Sequence, residues 1–285
     1  ATDYKVKGGD DNDTITFKAS VTDGFINGNV GNDNITVTAD ATSTTLEGGQ
    51  GNDNLTVSGN AGTSLLQGRI GNDTIIVTGT STTSTINGNE DDDTITLTGR
   101  VTSSEIYGGL NKDAITVSEF TDSKMLGGKG NDTLNLNGAL TNATVNGNAG
   151  DDDMDVVAIA ASKTTVRGGQ GRDTITYAGS SDGYFMGDAD NDSIDLTGAT
   201  GDNTVYGGAG VDAITLGAGK NSVEGDAGND TITDAAAGTN TVNGGDGNDT
   251  ITINNGGKNV LNGGSGKDQI TDGSGDDSIN GNAGA

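Results

Sequence analysis

A single phrase recurs fourteen times in this chain at nearly constant spacing: a glycine-rich turn that ends in aspartate and runs straight into an apolar strand. Gly48-Gly49-Gln50-Gly51-Asn52-Asp53-Asn54-Leu55-Thr56-Val57 is one copy, and Gly244-Gly245-Asp246-Gly247-Asn248-Asp249-Thr250-Ile251-Thr252-Ile253 is another. The aspartates are Asp13, Asp33, Asp53, Asp73, Asp93, Asp113, Asp132, Asp152, Asp173, Asp192, Asp212, Asp230, Asp249 and Asp268, spaced 18 to 21 residues apart. A chain with such a period cannot bury its apolar residues one repeat at a time, because each repeat is too small for a core. It must stack its repeats as coils.

Two residues after each aspartate stands an apolar residue (Ile15, Ile35, Leu55, Ile75, Ile95 and onward), and in most copies a second follows two further on. This alternation marks a short strand with one buried face. A second strand precedes the opening glycine, with its inner residue always seven before the aspartate: Val6, Ile26, Leu46, Leu66, Ile86, Ile106, Met125 and onward to Leu261. The return path, from the aspartate to the next such residue, varies from 11 to 14. All the length variation falls in one of the two turns. A turn built around a fixed ligand cannot absorb insertions, whereas a free surface turn can. The glycine–aspartate turn is therefore the constrained one. The pattern predicts an all-β chain: a right-handed parallel β-roll, or β-solenoid, of about 14 coils with about 20 residues each and two parallel sheets. Residues 1–285 read as one such roll, with coils 212–285 closer to an 18–19-residue spacing. Gly281-Asn282-Ala283-Gly284-Ala285 opens a further copy, so the chain reads as a segment of something longer.

Composition sharpens the chemistry. There is no proline, cysteine, histidine or tryptophan, which excludes disulfides, thiolate or zinc centres and histidine-based catalysis. The formal net charge is −27. Such a surface repels nucleic acid and anionic membrane and attracts multivalent cations. No apolar run reaches membrane-spanning length. With 30% apolar residues, the core is thin, and hydrophobic burial needs help against a backbone ordering cost of ~1–2 kcal/mol per residue.

Calcium bound in the glycine–aspartate turns supplies that help. Ca²⁺ takes six to eight oxygens at ~2.3–2.6 Å from carboxylates and backbone carbonyls. Glycines allow the positive-φ conformations that point several carbonyls at one centre. One turn offers too few ligands and two stacked turns offer enough, so each ion bridges neighbouring coils. Fourteen turns leave thirteen gaps, and thirteen Ca²⁺ bring +26 against −27.

The phrase resembles the RTX (repeats-in-toxin) family, whose nonapeptide is G-G-x-G-x-D-x-U-x with U apolar. The resemblance runs in phase along nearly the whole chain. It implies a calcium-bound parallel β-roll, with the fourteen aspartates as ligands, in a secreted bacterial protein. It also has a departure. RTX nonapeptides normally follow one another directly and place calcium on both edges, whereas here each coil has one motif. The second turn is rich in Thr, Ser and Asn, as in Thr38-Ala39-Asp40-Ala41-Thr42-Ser43. One complete calcium row of about 13 ions is expected. A partial second row is expected near the C-terminal end, where Gly217-Ala218-Gly219-Lys220-Asn221 imitates the motif with Asn for Asp and Asp272-Gly273-Ser274-Gly275-Asp276-Asp277 nearly completes it, making Asp277 a further candidate ligand. Asp11, Asp91, Asp190 and Asn111 replace the second motif glycine, and these residue types tolerate left-handed backbone. Lys112, Arg172 and Lys267 precede their aspartates and are either solvated or paired with a neighbouring acid.

Other functions find less support. Tyr107, Arg167 and Tyr206 share an outward column without forming a catalytic cluster in adjacent coils, so the chain is not expected to be an enzyme. Thr-x-Thr pairs such as Thr94 and Thr96 suit an ice-binding solenoid. That ladder is broken by Ile76, Asn135, Asp153, Asp155 and Asp195, and the turn column Asp10, Val30, Gln50, Ile70, Glu90, Leu110, Lys129 and Ala149 contains no threonine. Asn142-Ala143-Thr144 has the form of a glycosylation acceptor. The expected role is structural: a calcium-binding roll of an extracellular bacterial surface protein, above all a surface-layer lattice built from copies of itself. A repeat segment of a large RTX adhesin or exoprotein is the alternative, and an ice-binding solenoid a more distant one.

Overall fold

The computed structural model describes residues 4–157, 161–234 and 236–282. Of the terminal Gly281–Ala285 copy, residues 283–285 lie outside the described residues. The described chain contains strands and turns and no helix, and all the strand pairs with assigned register are parallel. It divides into two compact units, Ala1–Ala139 and Leu140–Ala285, each of which is a β-solenoid.

In the first unit, one sheet stacks the strands before each motif: Lys5–Gly9, Phe25–Val30, Thr45–Gln50, Leu65–Ile70, Thr85–Glu90, Glu105–Leu110 and Lys124–Lys129. The opposite sheet stacks the strands after each aspartate, such as Asn34–Val37, Asn54–Val57 and Thr74–Val77. Register is in phase with the repeat. Ile26, Leu46, Leu66, Ile86, Ile106 and Met125 form one fully buried column, and Ile35, Leu55, Ile75, Ile95, Ile115 and Leu134 form another. Each coil closes a two-sided core only a few side chains wide, because alternate residues of both strands point inward.

The loose turn is more ordered than its length variation suggests. It carries a short third strand in each of several coils, including Val21–Thr22, Ala41–Thr42, Ala61–Gly62 and Ser81–Thr82. These supply a further inner column: Val21, Ala41, Ala61, Ser81, Val101 and Phe120. The turn then closes through left-handed residues (Ser43, Thr63, Thr83, Ser103) followed by buried hydroxyls. Ser64 Oγ accepts the Thr44 N–H at 3.2 Å, Ser84 Oγ accepts that of Ser64 at 3.1 Å, and Ser104 Oγ that of Ser84 at 3.0 Å. Each serine also donates to a backbone carbonyl, so the ladder is self-sufficient.

In the second unit this edge changes construction. Tyr177 is fully buried beside Phe185, with ring centroids 4.7 Å apart, and its hydroxyl donates to the Ser181 carbonyl at 2.7 Å. Beyond it, the buried hydroxyls give way to buried amides. Asn221, Asn240 and Asn259 each accept, through Oδ1, the backbone N–H of the asparagine one coil earlier. Asp277 Oδ1 accepts the N–H of Asn259 at 2.8 Å and ends the series. The side-chain amides are occupied as well: Asn240 Nδ2 donates to buried Asp234 at 2.6 Å, and Asn255 Nδ2 to the same oxygen at 2.8 Å. The coils from Asp212 onward, spaced 18–19 residues apart, contain no such third strand among the described residues.

A buried N–H stripped of its acceptor costs roughly 1–3 kcal/mol. Ser84→Ala is expected to lower the melting temperature of the calcium-loaded chain by a corresponding amount, since it orphans the Ser64 N–H, and to leave the number of bound calcium ions unchanged. Thermal melting with parallel metal analysis checks both halves.

Candidate metal-binding turns

The same ladder logic operates on the motif edge, with a different side chain. In the first unit the Asp13 N–H donates to Asp33 Oδ1 at 2.7 Å, Asp33 to Asp53 at 2.7 Å, Asp53 to Asp73 at 2.7 Å, Asp73 to Asp93 at 2.8 Å, Asp93 to Asp113 at 2.8 Å and Asp113 to Asp132 at 2.8 Å. In the second unit the chain of donations runs from Asp152 through Asp173, Asp192, Asp212, Asp230 and Asp249 to Asp268. One carboxylate oxygen per turn is thus used to tie adjacent coils.

The other oxygen is not. In Asp13, Asp33, Asp53, Asp73, Asp93, Asp113, Asp173, Asp192, Asp212, Asp230, Asp249 and Asp268, Oδ2 is buried without a hydrogen-bond partner. It points at the glycine that opens its own turn. A methyl group on Gly48 would overlap Asp53 Oδ2 and come 2.7 Å from the Gly68 carbonyl. This glycine is needed for space, because the carboxylate oxygen of one turn and a carbonyl of the next converge beside its Cα.

Two further positions in each turn are needed for their conformation. The residues four and two before the aspartate have positive φ in every motif turn: Gly49 at 128° and Gly51 at 122°, for example, and Asn29 at 79° and Gly31 at 130°. Asp11, Asp91, Asp190 and Asn111 take the same conformation at 72–77°. Arg69, at 96°, is the one residue in these two columns that is neither glycine nor Asx, and its guanidinium pairs with Glu47. The alternation turns carbonyls along the edge, so that the Asn29 carbonyl lies against Gly49 and the Gly31 carbonyl against Gly51.

A row of close carboxylates in a desolvated edge holds its protons tightly. Burial is the main cause, and neighbouring carboxylates add to it for most of these groups, against the lowering effect of the hydrogen bond from the preceding turn. The carboxyl of Asp53 is pushed up to about 6, those of Asp73 and Asp113 to about 7 and that of Asp93 to about 8. In the second unit Asp173, Asp192 and Asp230 reach about 7.

The residues fit calcium. The donors are hard oxygens, twelve of the turns hold an unpartnered buried carboxylate oxygen, and carbonyls of adjacent turns line the same edge. Among the described residues no three acidic side chains converge on one point, so backbone carbonyls have to supply most of the coordination. The second edge is chemically different. There the position nine before the aspartate carries Thr44, Ser64, Ser84, Ser104 and Ser123 in the first unit and Asn203, Asn221, Asn240 and Asn259 in the second, and it is neutral in all fourteen repeats. Asn221, which makes Gly217–Asn221 look like a motif, donates its amide to the Gly217 carbonyl at 3.1 Å. Asp277 is the sole carboxylate in that ladder among the described residues, and Asp272 hydrogen-bonds to it, which raises the Asp272 carboxyl further beyond the effect of burial. Lys112, Arg172 and Lys267 all enter the turn ladder through their backbone N–H groups, and Arg172 in addition pairs its guanidinium with Asp151 of the previous coil at 3.3 Å.

The model of the RTX calcium-binding nonapeptide repeat (4 copies) matches residues 56–79, 197–232, 234–252 and 253–285. Over these stretches, less than half of the chain, the sequence is similar to RTX calcium-binding repeats, which supports a calcium-binding β-roll. Among solved structures, it is similar to a hyperactive, Ca²⁺-dependent, β-helical antifreeze protein from an Antarctic bacterium: 20% identity, TM-score 0.56, covering 94% of this chain and 83% of the other. That likeness is one of fold. No curated protein matches the chain.

Two outcomes test the turn. Gly48→Ala is expected to destabilise the chain by roughly 1–3 kcal/mol and to lower calcium uptake, since its methyl group overlaps the carboxylate. Gly62→Ala, where a methyl meets nothing nearer than Thr42 Oγ1 at 4.0 Å, should be neutral in both assays. The pH dependence has a definite sign. Folded, metal-free carboxyls titrate up to about 8 against an ordinary 3.8, so between those values the folded state binds more protons than the unfolded one. Stability of the metal-free chain therefore falls as pH rises through this window. In chelator the chain should retain less sheet signal by circular dichroism at pH 8 than at pH 5, and saturating calcium, which requires the ionised carboxylates, should remove or invert the difference.

Proposed function

We propose that this chain is a calcium-stiffened structural roll of a secreted bacterial cell-surface protein, and that its role is in a surface-layer lattice. The observation that carries the reading is the column of buried, unpartnered aspartate oxygens along one edge. A fold that leaves one such oxygen in turn after turn is incomplete without a cation, and extracellular calcium is the cation whose ligand chemistry matches. The fourteen motif aspartates are the proposed ligands on the principal row, with Asp277 an isolated candidate on the other edge. Regular, Thr- and Asn-rich outward faces, and the absence of His and Cys, suit a spacer or lattice element better than an enzyme. The RTX repeats point the same way, since proteins bearing them are typically exported.

Ice binding is a second reading, supported by the antifreeze activity of the structurally similar protein and by register-matched threonines such as Thr36 beside Thr56 and Thr96 beside Thr116. Against it stands the motif-edge column, where Val30, Gln50, Ile70, Glu90 and Leu110 offer no threonine. Thermal hysteresis at millimolar protein separates the two.

The lattice reading is tested by metal analysis and electron microscopy together. Titration should give about one ion per pair of consecutive motif turns, and calcium should convert the unfolded or expanded chain into ordered two-dimensional assemblies. Twice that stoichiometry would replace the single row with two. Monodisperse single chains at high concentration in calcium would remove the lattice role.

A further inference from the structure

The outward residue three before each motif aspartate forms a column along the first unit: Val30, Gln50, Ile70, Glu90, Leu110 and Lys129 close strands of one sheet, and Asp10 stands just after its strand. The parallel ladder sets Val30 beside Gln50, Gln50 beside Ile70, Ile70 beside Glu90 and Leu110 beside Lys129. All seven are exposed. Val30, Ile70 and Leu110, at 44%, 43% and 41% exposure, are three of the few large apolar side chains on the surface. They recur in every second coil, about 9.6 Å apart. A groove of about 480 Å³ runs beside them, lined by Val30, Gln50, Ile70 and Glu90 together with the Glu47–Arg69 pair.

Read from either end, this column is self-complementary about Ile70. We propose that it is a docking surface for a second copy of the chain, packed antiparallel about a two-fold axis that passes between the two Ile70 side chains. In that arrangement Val30 meets Leu110, the Gln50 amide meets the Glu90 carboxylate and Asp10 meets Lys129, each twice, while Ile70 meets its own copy. The charges select this geometry over its competitors. A parallel pairing opposes Asp10 to Asp10, Glu90 to Glu90 and Lys129 to Lys129. Moving the axis by half a coil, to lie between Ile70 and Glu90, sets Ile70 against Glu90 and Val30 against Lys129. Centring it on Gln50 opposes Asp10 to Glu90, and centring it on Glu90 opposes that carboxylate to itself. Like charges and unpaired charges within the column reject those registers, whereas in the Ile70-centred one no two column residues of like charge meet and Glu90 is hydrogen-bonded by an amide. Lys5 and Lys124 lie five residues back in their strands and would face each other in the same arrangement, which confines the contact to the motif-edge margin.

One column covers far less than the ~800 Å² per partner of a stable dimer. The pairing is therefore weak in dilute solution and gains strength when many copies are held together. It rests on the self-assembly reading above and gives it a specific contact.

The absence of cysteine from the chain makes a clean test possible. Facing sheets pack about 10 Å apart, so a short bismaleimide spans equivalent positions on the axis. In calcium, with the full chain, Ile70→Cys should cross-link to itself. Gln50→Cys and Glu90→Cys should cross-link poorly alone and well when mixed. Asp10→Lys should reduce the Ile70→Cys yield roughly five- to tenfold, through two lost ion pairs, and adding Lys129→Asp should restore it. Circular dichroism in calcium confirms that each variant is folded. Equal yields for Ile70→Cys, Gln50→Cys and Glu90→Cys alone, or no rescue by the charge exchange, would overturn the proposal. Ordered arrays without the Ile70 cross-link would sink this contact and leave the lattice role standing, whereas the cross-link without arrays would do the reverse.

Discussion

Within each unit, successive motif turns hang on one shared group, the aspartate carboxylate. Its Oδ1 takes the backbone N–H of the preceding turn, and in turns such as those of Asp53 and Asp73 its Oδ2 is left buried against a glycine Cα. The first oxygen fixes the register of the coils and so sets every apolar column. The second carries the electrostatic cost of doing this with an acid in a desolvated row. A neutral residue would tie the coils equally well, as the serine and asparagine ladders of the opposite edge do. Retaining the acid on one edge makes sense only if the folded state is meant to be conditional on a cation. Stability and calcium dependence are then two results of one choice of side chain.

The comparison of the two edges also locates where sequence reading was sufficient. Strand positions, the seven-residue approach to the aspartate and the left-handed roles of Asp11, Asp91, Asp190 and Asn111 were legible because glycine, Asx and alternating apolar residues have few other uses. The third inner column was not. Ala41, Ala61 and Ser81 are small and lie in a stretch rich in Thr, Ser and Asn, so they read as loop, although the structure buries them completely. The hydroxyl ladder was missed for a related reason. Thr44, Ser64, Ser84, Ser104 and Ser123 stand nine residues before their aspartates in five consecutive repeats, but Gly24, Ala143 and Gly183 interrupt the column and its polarity hid the period. The constrained approach is thus longer than the apolar pattern indicates, and the length variation falls between the strand after one aspartate and the residue nine before the next.

Residues that depart from the repeat are informative for the same reason. Arg69 occupies a left-handed position that its neighbours fill with glycine or asparagine, and it lies in the groove beside the exposed Val30 and Ile70, held by Glu47. Tyr177 fills the second edge at the point where hydroxyl ladders give way to amide ladders. Both sit at changes in the molecule: one beside a face suited to a partner, the other where one coil type hands over to another.

The turn carries a second relay that runs the opposite way. The side-chain oxygen of Asn32 accepts the N–H of Asn52, and that of Asn52 accepts the N–H of Asn72, so acceptors here point forward along the chain whereas those of the aspartates point backward. A coil with asparagine at this position therefore gives one acceptor across each of its two faces, which a coil with Lys112, Arg172 or Val211 there cannot do. Removing or adding a whole asparagine-bearing coil leaves the flanking coils with the same bonds they had. Length in such a molecule is a free parameter, open to change by duplication or loss of complete repeats, while a single residue gained or lost inside the glycine–aspartate approach breaks both relays at once.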